Sequence, residues 1–106
     1  MSPVDQAQIE QGVVEALRQV YDPEIPVNIH ELGLIYGVEV SPAGAVAVRM
    51  TLTAAGCPAA QVLPEEVERR VRDVPGVTDV RVEVTFDPPW DQSRMSEAAR
   101  LQLGLL

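Results

Sequence analysis

The strongest constraint on the fold is a change of periodicity on either side of the segment 51–58, Thr-Leu-Thr-Ala-Ala-Gly-Cys-Pro. From Ala45 to Thr53 apolar side chains alternate with others, which predicts a half-buried β-strand. From Pro58 to about Val74 apolar residues recur at helical spacing, which predicts an amphipathic helix. A strand therefore passes directly into a helix, and the single cysteine of the chain, Cys57, lies at the junction.

Two chemical environments are open to Cys57. Gly56 lets the backbone turn without a Cβ clash, and Pro58 suits the first position of a helix, where no N–H is needed. A cysteine there faces unpaired backbone N–H groups and the positive end of the helix dipole, and both favour the thiolate over the thiol. The alternative is a small buried apolar side chain, the usual role of a free cysteine.

Composition narrows the class of protein. A chain of 106 residues is expected to form one domain spanning 1–106. The net charge of −8 argues against nucleic acid, since phosphate binding needs clustered basic residues. One cysteine cannot form an intrachain disulfide, no apolar run approaches the roughly 20 residues that span a membrane, and the first residues do not resemble a signal peptide. We therefore expect a cytoplasmic protein that does not bind membranes.

The remaining patterns predict an α+β fold. A first helix is expected from about Pro3 to Val20, with Ser2 as its cap and Asp5 in its first turn. Three strands are expected at Leu34–Val40, Ala45–Thr53 and Val77–Phe86, with the second helix between the last two and a short helix, capped by Ser96, at the end. The predicted order is helix, strand, strand, helix, strand, short helix. It implies a two-layer α+β sandwich with the helices on one face of a small mixed or antiparallel sheet, with a mixed sheet preferred, since the strand after the second helix can pair parallel to one hairpin strand through a right-handed crossover.

Two details of these elements are also predicted. On the second strand, one face should carry Val46, Val48, Met50 and Leu52, and the other Ala47, Arg49, Thr51 and Thr53. On the second helix, the apolar set is Val62, Leu63, Val67, Val71 and Val74. Pro64 is a candidate break, which would start the main helix at Pro64 and bring two helix N-termini close to Cys57.

Four further residues are candidates for function, each with a structural alternative. Asp22 and Glu24 flank Pro23 on a stiff loop, where two carboxylates can ligate a metal or orient a polar partner; the alternative is a turn residue and a solvated one. Thr53 can donate to a sulfur or cap the next helix. Trp90 follows a double proline and is either a binding surface or a lid over the core.

The motifs of most enzyme classes are absent, because the chain has no Gly-rich phosphate loop and no serine nucleophile elbow. Cys57, the single histidine His30 and one of Asp22 or Glu24 formally allow a thiol-dependent enzyme. His30 itself is expected to be an exposed loop or strand residue. One thiolate is too few for an iron–sulfur cluster, so any metal ligation by Cys57 is expected to be transient, shared across a dimer or shared with a client.

Four motifs in order resemble the small iron–sulfur cluster assembly domain of the SufT and PaaD group. They are Tyr-Asp-Pro-Glu-Ile-Pro-Val at 21–27, Leu-Gly-Leu-Ile-Tyr at 32–36, Thr-Leu-Thr with Gly-Cys-Pro at 51–58, and Pro-Pro-Trp with Met-Ser at 88–96. The resemblance covers about Val20 to Gly104. The chain ends without the cysteine-bearing tail of PaaD-type members, so it is more similar to the stand-alone SufT type.

The resemblance implies an accessory factor, not an enzyme, that acts in cluster assembly or in maturing client iron–sulfur proteins. The positions that match are Asp22, Glu24, Thr53 and Cys57, with Trp90 as a fixed part of its turn. It implies a homodimer whose partners are client apoproteins and other assembly proteins. No stably bound cofactor is expected; a transient cluster or iron is. The alternatives are a component linked to a phenylacetyl-CoA oxygenase pathway, a thiol-dependent enzyme, and an interaction module that docks through Trp90.

Overall fold

The computed structural model describes residues 5–21, 27–52 and 59–104. Its elements, in chain order, are α1 (Gln6–Leu17), β1 (Ile35–Val40), β2 (Ala45–Met50), α2 (Ala59–Arg72), β3 (Asp79–Val84), a 3-10 turn (Gln92–Arg94) and α3 (Glu97–Gln102). The predicted α+β order is confirmed, and the 3-10 turn is an addition to it. Among the described helices, none is long and apolar enough to cross a membrane.

The three strands form one mixed sheet in the order β1-β2-β3. β1 and β2 are antiparallel, joined by the predicted turn at 41–44. β3 lies parallel to β2 in continuous register, from Ala45 opposite Asp79 to Met50 opposite Val84. The crossover through α2 is what allows the parallel pairing, since parallel neighbours cannot be joined by a tight hairpin.

One face of the sheet is covered by the two long helices, and the other is exposed. The core contains alternate residues of β2 together with apolar residues of α1 and α2: Val46, Val48, Met50, Ile9, Val13, Leu17, Leu63, Val67 and Val71. The opposite face carries charged side chains, including Glu39, Arg49, Arg81 and Glu83, all of which are exposed. The predicted alternation along β2 is thus confirmed for residues 46–50.

The start of α1 differs from the prediction. Asp5 is the N-cap, not a first-turn residue: its carboxylate accepts from the Gln8 N–H at 2.8 Å, and the Gln8 side chain accepts from the Asp5 N–H at 3.2 Å. This reciprocal pair satisfies two otherwise unpaired backbone donors. Ser2, the predicted cap, lies outside the described residues. The helix ends at Leu17 instead of Val20, because the N–H groups of Gln19 and Val20 donate to the carbonyls three residues back, not four.

The predicted break at Pro64 is wrong, since α2 runs without interruption through that residue. Pro64 lies in the second turn, so the helix loses only the hydrogen bond of one missing N–H. Within the predicted apolar set, Val62 is 57% exposed, and the buried stripe consists of Leu63, Val67 and Val71. Within the described residues, α2 therefore has a single N-terminus at Ala59 and no second one at Pro64.

Strand ends account for the other differences. β2 ends at Met50, and Thr51, predicted to lie on the open face, is fully buried. Its N–H donates to the Leu34 carbonyl at 2.8 Å, which continues the register in which Met50 lies opposite Ile35. β3 is shorter than the predicted 77–86, and Phe86, predicted on the apolar face, is 46% exposed.

The C-terminal residues hold the segment 28–34 in place. The indole N–H of Trp90 donates to the Leu32 carbonyl at 2.8 Å, and the N–H of Ser96 donates to the Glu31 carbonyl at 2.9 Å. Trp90 is half-buried and packs against the core. Ser96 also caps α3, as predicted, by accepting from Ala99. Segments far apart in the sequence are thus joined at the end of the sheet.

Gly33 allows the close approach of these two segments. Its φ of +78° is a conformation that L side chains rarely adopt, and a Cβ built on it would overlap the backbone carbonyl of Arg94. We expect Gly33→Ala to lower the free energy of unfolding by about 3 kcal/mol, from backbone strain and displaced neighbours. Urea denaturation measures this change.

Gly37→Ala is the matched control, since a Cβ at Gly37 meets no atom within 4 Å. We expect it to change the free energy of unfolding by less than about 0.5 kcal/mol. Equal losses in the two variants would contradict the assigned role of Gly33.

The Trp90 hydrogen bond can be tested without removing the aromatic ring. Trp90→Phe leaves the Leu32 carbonyl without its donor and should lower the free energy of unfolding by about 1 kcal/mol. Tyr21→Phe, which removes a hydroxyl from an aromatic residue that is 54% exposed, should change it by less than about 0.5 kcal/mol. Thermal or urea unfolding of both variants checks the difference, and a neutral Trp90→Phe would show that the bond contributes little.

Candidate functional site

Four of the predicted site residues, all except Trp90, lie in two short stretches of the sequence. We call residues 22–26 the acidic loop, because it contains Asp22 and Glu24, and residues 53–58 the cysteine loop, because it contains Thr53 and Cys57. All four residues lie outside the described ranges. The structure describes the residues that flank these two loops on either side.

The cysteine loop connects the end of a central strand to the start of a helix. Before it, Thr51 and Leu52 are buried, and after it α2 begins at Ala59. The first turn of α2 has no acidic side chain, and its last turn has three arginines, Arg69, Arg70 and Arg72. The positive end of this helix therefore has no carboxylate of its own first turn to neutralise it, which favours an anion at that end.

The acidic loop is closed at its base by backbone contacts. Tyr21 and Asn28 form an isolated antiparallel bridge, and the Ile29 N–H donates to the Val20 carbonyl at 2.8 Å. Val20 and Val27 are buried on either side of the loop. The positions at which the chain enters and leaves the acidic loop are therefore fixed.

A row of three backbone hydrogen bonds joins the bases of the two loops. After the Ile29 bond to Val20, the Leu34 N–H donates to the Ile29 carbonyl at 3.1 Å, and the Thr51 N–H donates to the Leu34 carbonyl at 2.8 Å. Neighbouring backbone segments joined in this way lie about 5 Å apart. The base of the acidic loop and the residue two before the cysteine loop thus belong to one hydrogen-bonded layer.

Thr51 is a residue whose environment the sequence did not predict. Its side chain is fully buried, and its Oγ1 has no hydrogen-bond partner among the described residues. A buried hydroxyl without a partner costs about 1–3 kcal/mol, so each case requires a reason. The only signal in the sequence is a polar residue at the end of an alternating apolar strand, and the alternation predicted the less buried face for a side chain that is fully buried.

His30 lies in the turn between the bases of the two loops. Its side chain is 32% exposed, so the expected exposure is only partial. Its Nδ1 is buried without a hydrogen bond and lies 3.9 Å from the Glu31 Oε1. Across 5–21, 27–52 and 59–104, no group of three or more His, Cys, Asp and Glu side chains is arranged to hold a metal ion.

A second concave feature lies at the end of the sheet near Trp90, with a cavity volume of about 470 Å³. It is lined by Gly33, Ile35, Tyr36, Arg49, Asp87, Pro88 and Arg94. The Tyr36 hydroxyl donates to the Pro88 carbonyl at 2.8 Å, and the Arg94 guanidinium lies 4.6 Å from the centre of the Tyr36 ring. The Tyr36 hydroxyl is therefore already hydrogen-bonded, and the Arg94 guanidinium packs on the Tyr36 ring. Both contacts fix residues that line the cavity.

Asp91, which immediately follows Trp90, has a structural role. The backbone N–H of Ser93 donates to it at 2.7 Å, and the Ser93 hydroxyl also donates to it. These hydrogen bonds lower the pKa of the Asp91 carboxyl, since they favour the charged form. Asp91 thus caps the 3-10 turn and stabilises the chain between Trp90 and α3.

Comparison with known proteins gives a consistent picture. Residues 10–84 match the model of a family described as iron–sulfur cluster assembly protein. An "Fe-S protein maturation auxiliary factor" of Porphyromonas gingivalis is 52% identical over 99 residues, which are 93% of this chain and 94% of that one. The "Fe-S protein maturation auxiliary factor SufT" of Staphylococcus aureus is 37% identical, over 81% of this chain and 98% of that one.

A longer relative and a solved structure complete the comparison. An "iron-sulfur cluster carrier protein" of Mycobacterium tuberculosis is 39% identical over 89% of this chain, which matches only 24% of the carrier's own length. A crystal structure of a domain of unknown function from Bacillus anthracis superimposes with a TM-score of 0.88 at 35% identity, over 95% of this chain and 96% of that one. The fold and the resemblance to SufT are thereby confirmed. The chain belongs to the iron–sulfur cluster assembly protein family.

Proposed function

We propose that this chain is an accessory factor in the maturation of iron–sulfur proteins and that the Cys57 thiolate transiently holds a cluster or iron for a client. The observation that carries the accessory role is the 52% identity to a maturation auxiliary factor over nearly the full length of both chains. The names of the relatives are those of maturation factors and carriers, which supports a role other than catalysis.

The frame of the cysteine loop supports the role of Cys57. The loop leads into the N-terminus of a 14-residue helix whose first turn has no acidic residue. Backbone N–H groups and the helix dipole stabilise a thiolate in such a position, and the thiolate is the form that binds iron. Transfer is then an exchange of ligands: the Cys57 sulfur leaves the metal as a client cysteine thiolate binds it, with no change of oxidation state.

The layer of backbone hydrogen bonds supports a role for the acidic loop. It joins the residues that flank the acidic loop to the strand that leads towards Cys57, which supports a proposal that Asp22 and Glu24 act beside Cys57. Carboxylates beside a bound iron supply hard oxygen ligands that complete a shell in which one protein thiolate is too few. In this arrangement the Thr53 hydroxyl donates a hydrogen bond to the Cys57 sulfur. Trp90 stabilises the turn between the bases of the two loops through its hydrogen bond to the Leu32 carbonyl.

We expect Cys57→Ser and Cys57→Ala to abolish the restoration of iron–sulfur enzyme activity in cells that lack the native gene. Each removes the only thiolate of the chain. The measurement is the activity of an iron–sulfur enzyme at equal levels of variant protein. Full restoration by Cys57→Ser would exclude the thiolate from the mechanism.

The state of the thiol can be measured directly, because Cys57 is the only cysteine. The alkylation rate as a function of pH should give a midpoint below the ordinary thiol pKa of about 8.5. A midpoint at or above that value would contradict stabilisation by the helix N-terminus and would also count against a thiol-dependent enzyme.

The carboxylates can be tested separately from folding. Asp22→Asn and Glu24→Gln keep the shape of the side chains but remove a charged ligand. We expect each to weaken iron binding by the purified protein, under anaerobic conditions, by about tenfold. Loss of a residue that only orients a metal ligand already costs about tenfold or more, so loss of a direct oxygen ligand should cost at least as much.

Glu10→Gln is the matched control, since Glu10 is an exposed carboxylate on α1. It should leave iron binding unchanged. If Asp22→Asn and Glu24→Gln behave as Glu10→Gln does, the acidic loop does not contribute to the site.

A further inference from the structure

The outer edge of β3 has unpaired backbone groups. β3 is the last strand of the sheet and, within the described ranges, pairs only with β2. The Thr85 N–H donates to the Met50 carbonyl, while Met50 lies opposite Val84 in the register. In a parallel ladder this phase directs the backbone groups of Arg81 and Glu83 towards β2.

The alternate residues are therefore directed outwards. The N–H and C=O groups of Val80, Val82 and Val84 point away from β2, along the open edge. An exposed edge of this kind is a template for pairing with another strand. β3 contains no proline and no bulge, since its register with β2 is continuous over all six residues. Proline and a bulge are two common features that prevent an edge strand from pairing with another chain, and β3 has neither.

The charges and the length of β3 together favour one way of pairing with an identical strand. We propose that β3 pairs antiparallel with β3 of a second copy, about a twofold axis at Val82, to form a continuous six-stranded sheet. In this register Val82 exchanges two hydrogen bonds with the partner's Val82, and Val80 lies opposite the partner's Val84. All the outward-facing groups of the three valines are then satisfied.

The same register places opposite charges together. Arg81 lies opposite the partner's Glu83, and by symmetry Glu83 lies opposite the partner's Arg81. Opposite charges at facing positions stabilise a strand pair, and like charges destabilise it. A twofold axis is the symmetry of most homodimers and requires a surface that is complementary to itself.

An axis at Val80 would also pair Arg81 with the partner's Asp79, but only residues 79–81 of the two β3 strands would then face each other, against 80–84 for the axis at Val82. The registers with an axis at Arg81 or Glu83 do not pair opposite charges. An axis at Arg81 would place two arginines opposite each other and Asp79 opposite the partner's Glu83. An axis at Glu83 would place two glutamates opposite each other. Extension of the sheet also buries more of the half-buried side chains of Val82 and Val84. This dimer does not depend on the iron–sulfur role, and it gives a surface to the homodimer predicted from the resemblance.

Charge reversal tests the register. The mass of the purified protein is measured by light scattering or sedimentation from micromolar to millimolar concentration. Arg81→Glu creates two like-charge contacts across the axis and should raise the dimer dissociation constant about tenfold. Adding Glu83→Arg to that variant restores opposite charges and should return the constant to within about threefold of the wild-type value.

Glu39→Arg is the matched control. Glu39 is exposed on the same face of the sheet, but it lies on β1, at the far side from β3. It changes the net charge by the same amount as Glu83→Arg and should leave dimerisation unchanged. Val82→Pro, which removes an outward N–H and no bond to β2, should give a monomer.

Amide hydrogen exchange gives an independent measurement on the wild-type chain. Protection of the Val82 amide should rise with protein concentration. The amides of Arg81 and Glu83, which face β2, should be protected at every concentration. The proposal is overturned if the protein is a monomer throughout, or if it is a dimer that is unaffected by Arg81→Glu and shows no concentration-dependent protection at Val82.

Discussion

Pairing of β2 along both of its edges is the constraint on which the rest of the fold depends. β1 satisfies one edge in antiparallel register and β3 the other in parallel register. The parallel pairing requires a long crossover, which α2 supplies, and α2 then covers the same face as α1. Once β2 is central, its alternate residues Val46, Val48 and Met50 form the middle of the core.

The same strand delivers the chain to the candidate site. After Met50, the bond from Thr51 to Leu34 continues the hydrogen-bonded layer towards the base of the acidic loop. The residues that lead into the cysteine loop are therefore positioned by the sheet. The fold and the bases of the two loops share one set of backbone bonds.

The sequence was informative wherever periodicity decided the structure. Alternation along β2 and β3, with helical spacing between them, was enough to predict the order of elements and the parallel third strand. The sequence did not predict where the helices and strands end, because single hydrogen bonds determine those positions. The reciprocal bonds of Asp5 and Gln8 start α1, and the burial of Thr51 depends on Leu34, a contact across 17 residues that no local pattern encodes.

For the site, the sequence predicted the junction that contains Cys57 but not its surroundings. Motif order identified Asp22, Glu24, Thr53 and Cys57 as a set, and the family assignment supports that resemblance. Whether carboxylates reach a sulfur depends on side-chain geometry, which neither spacing nor composition determines. The unpaired hydroxyl of Thr51 and the Trp90 bond to Leu32 are likewise tertiary features that a one-dimensional pattern does not contain.

The contacts of Trp90, Arg94 and Ser96 have a consequence for how the domain is delimited. All three residues follow the stretch 10–84 that matches the family model, yet they fasten Leu32, Gly33 and Glu31 between the two loops. A fragment ending after β3 would retain every strand and both long helices. It would lack the hydrogen bonds that Trp90 and Ser96 donate to the Leu32 and Glu31 carbonyls, so residues beyond the stretch that matches the family model help to hold this turn.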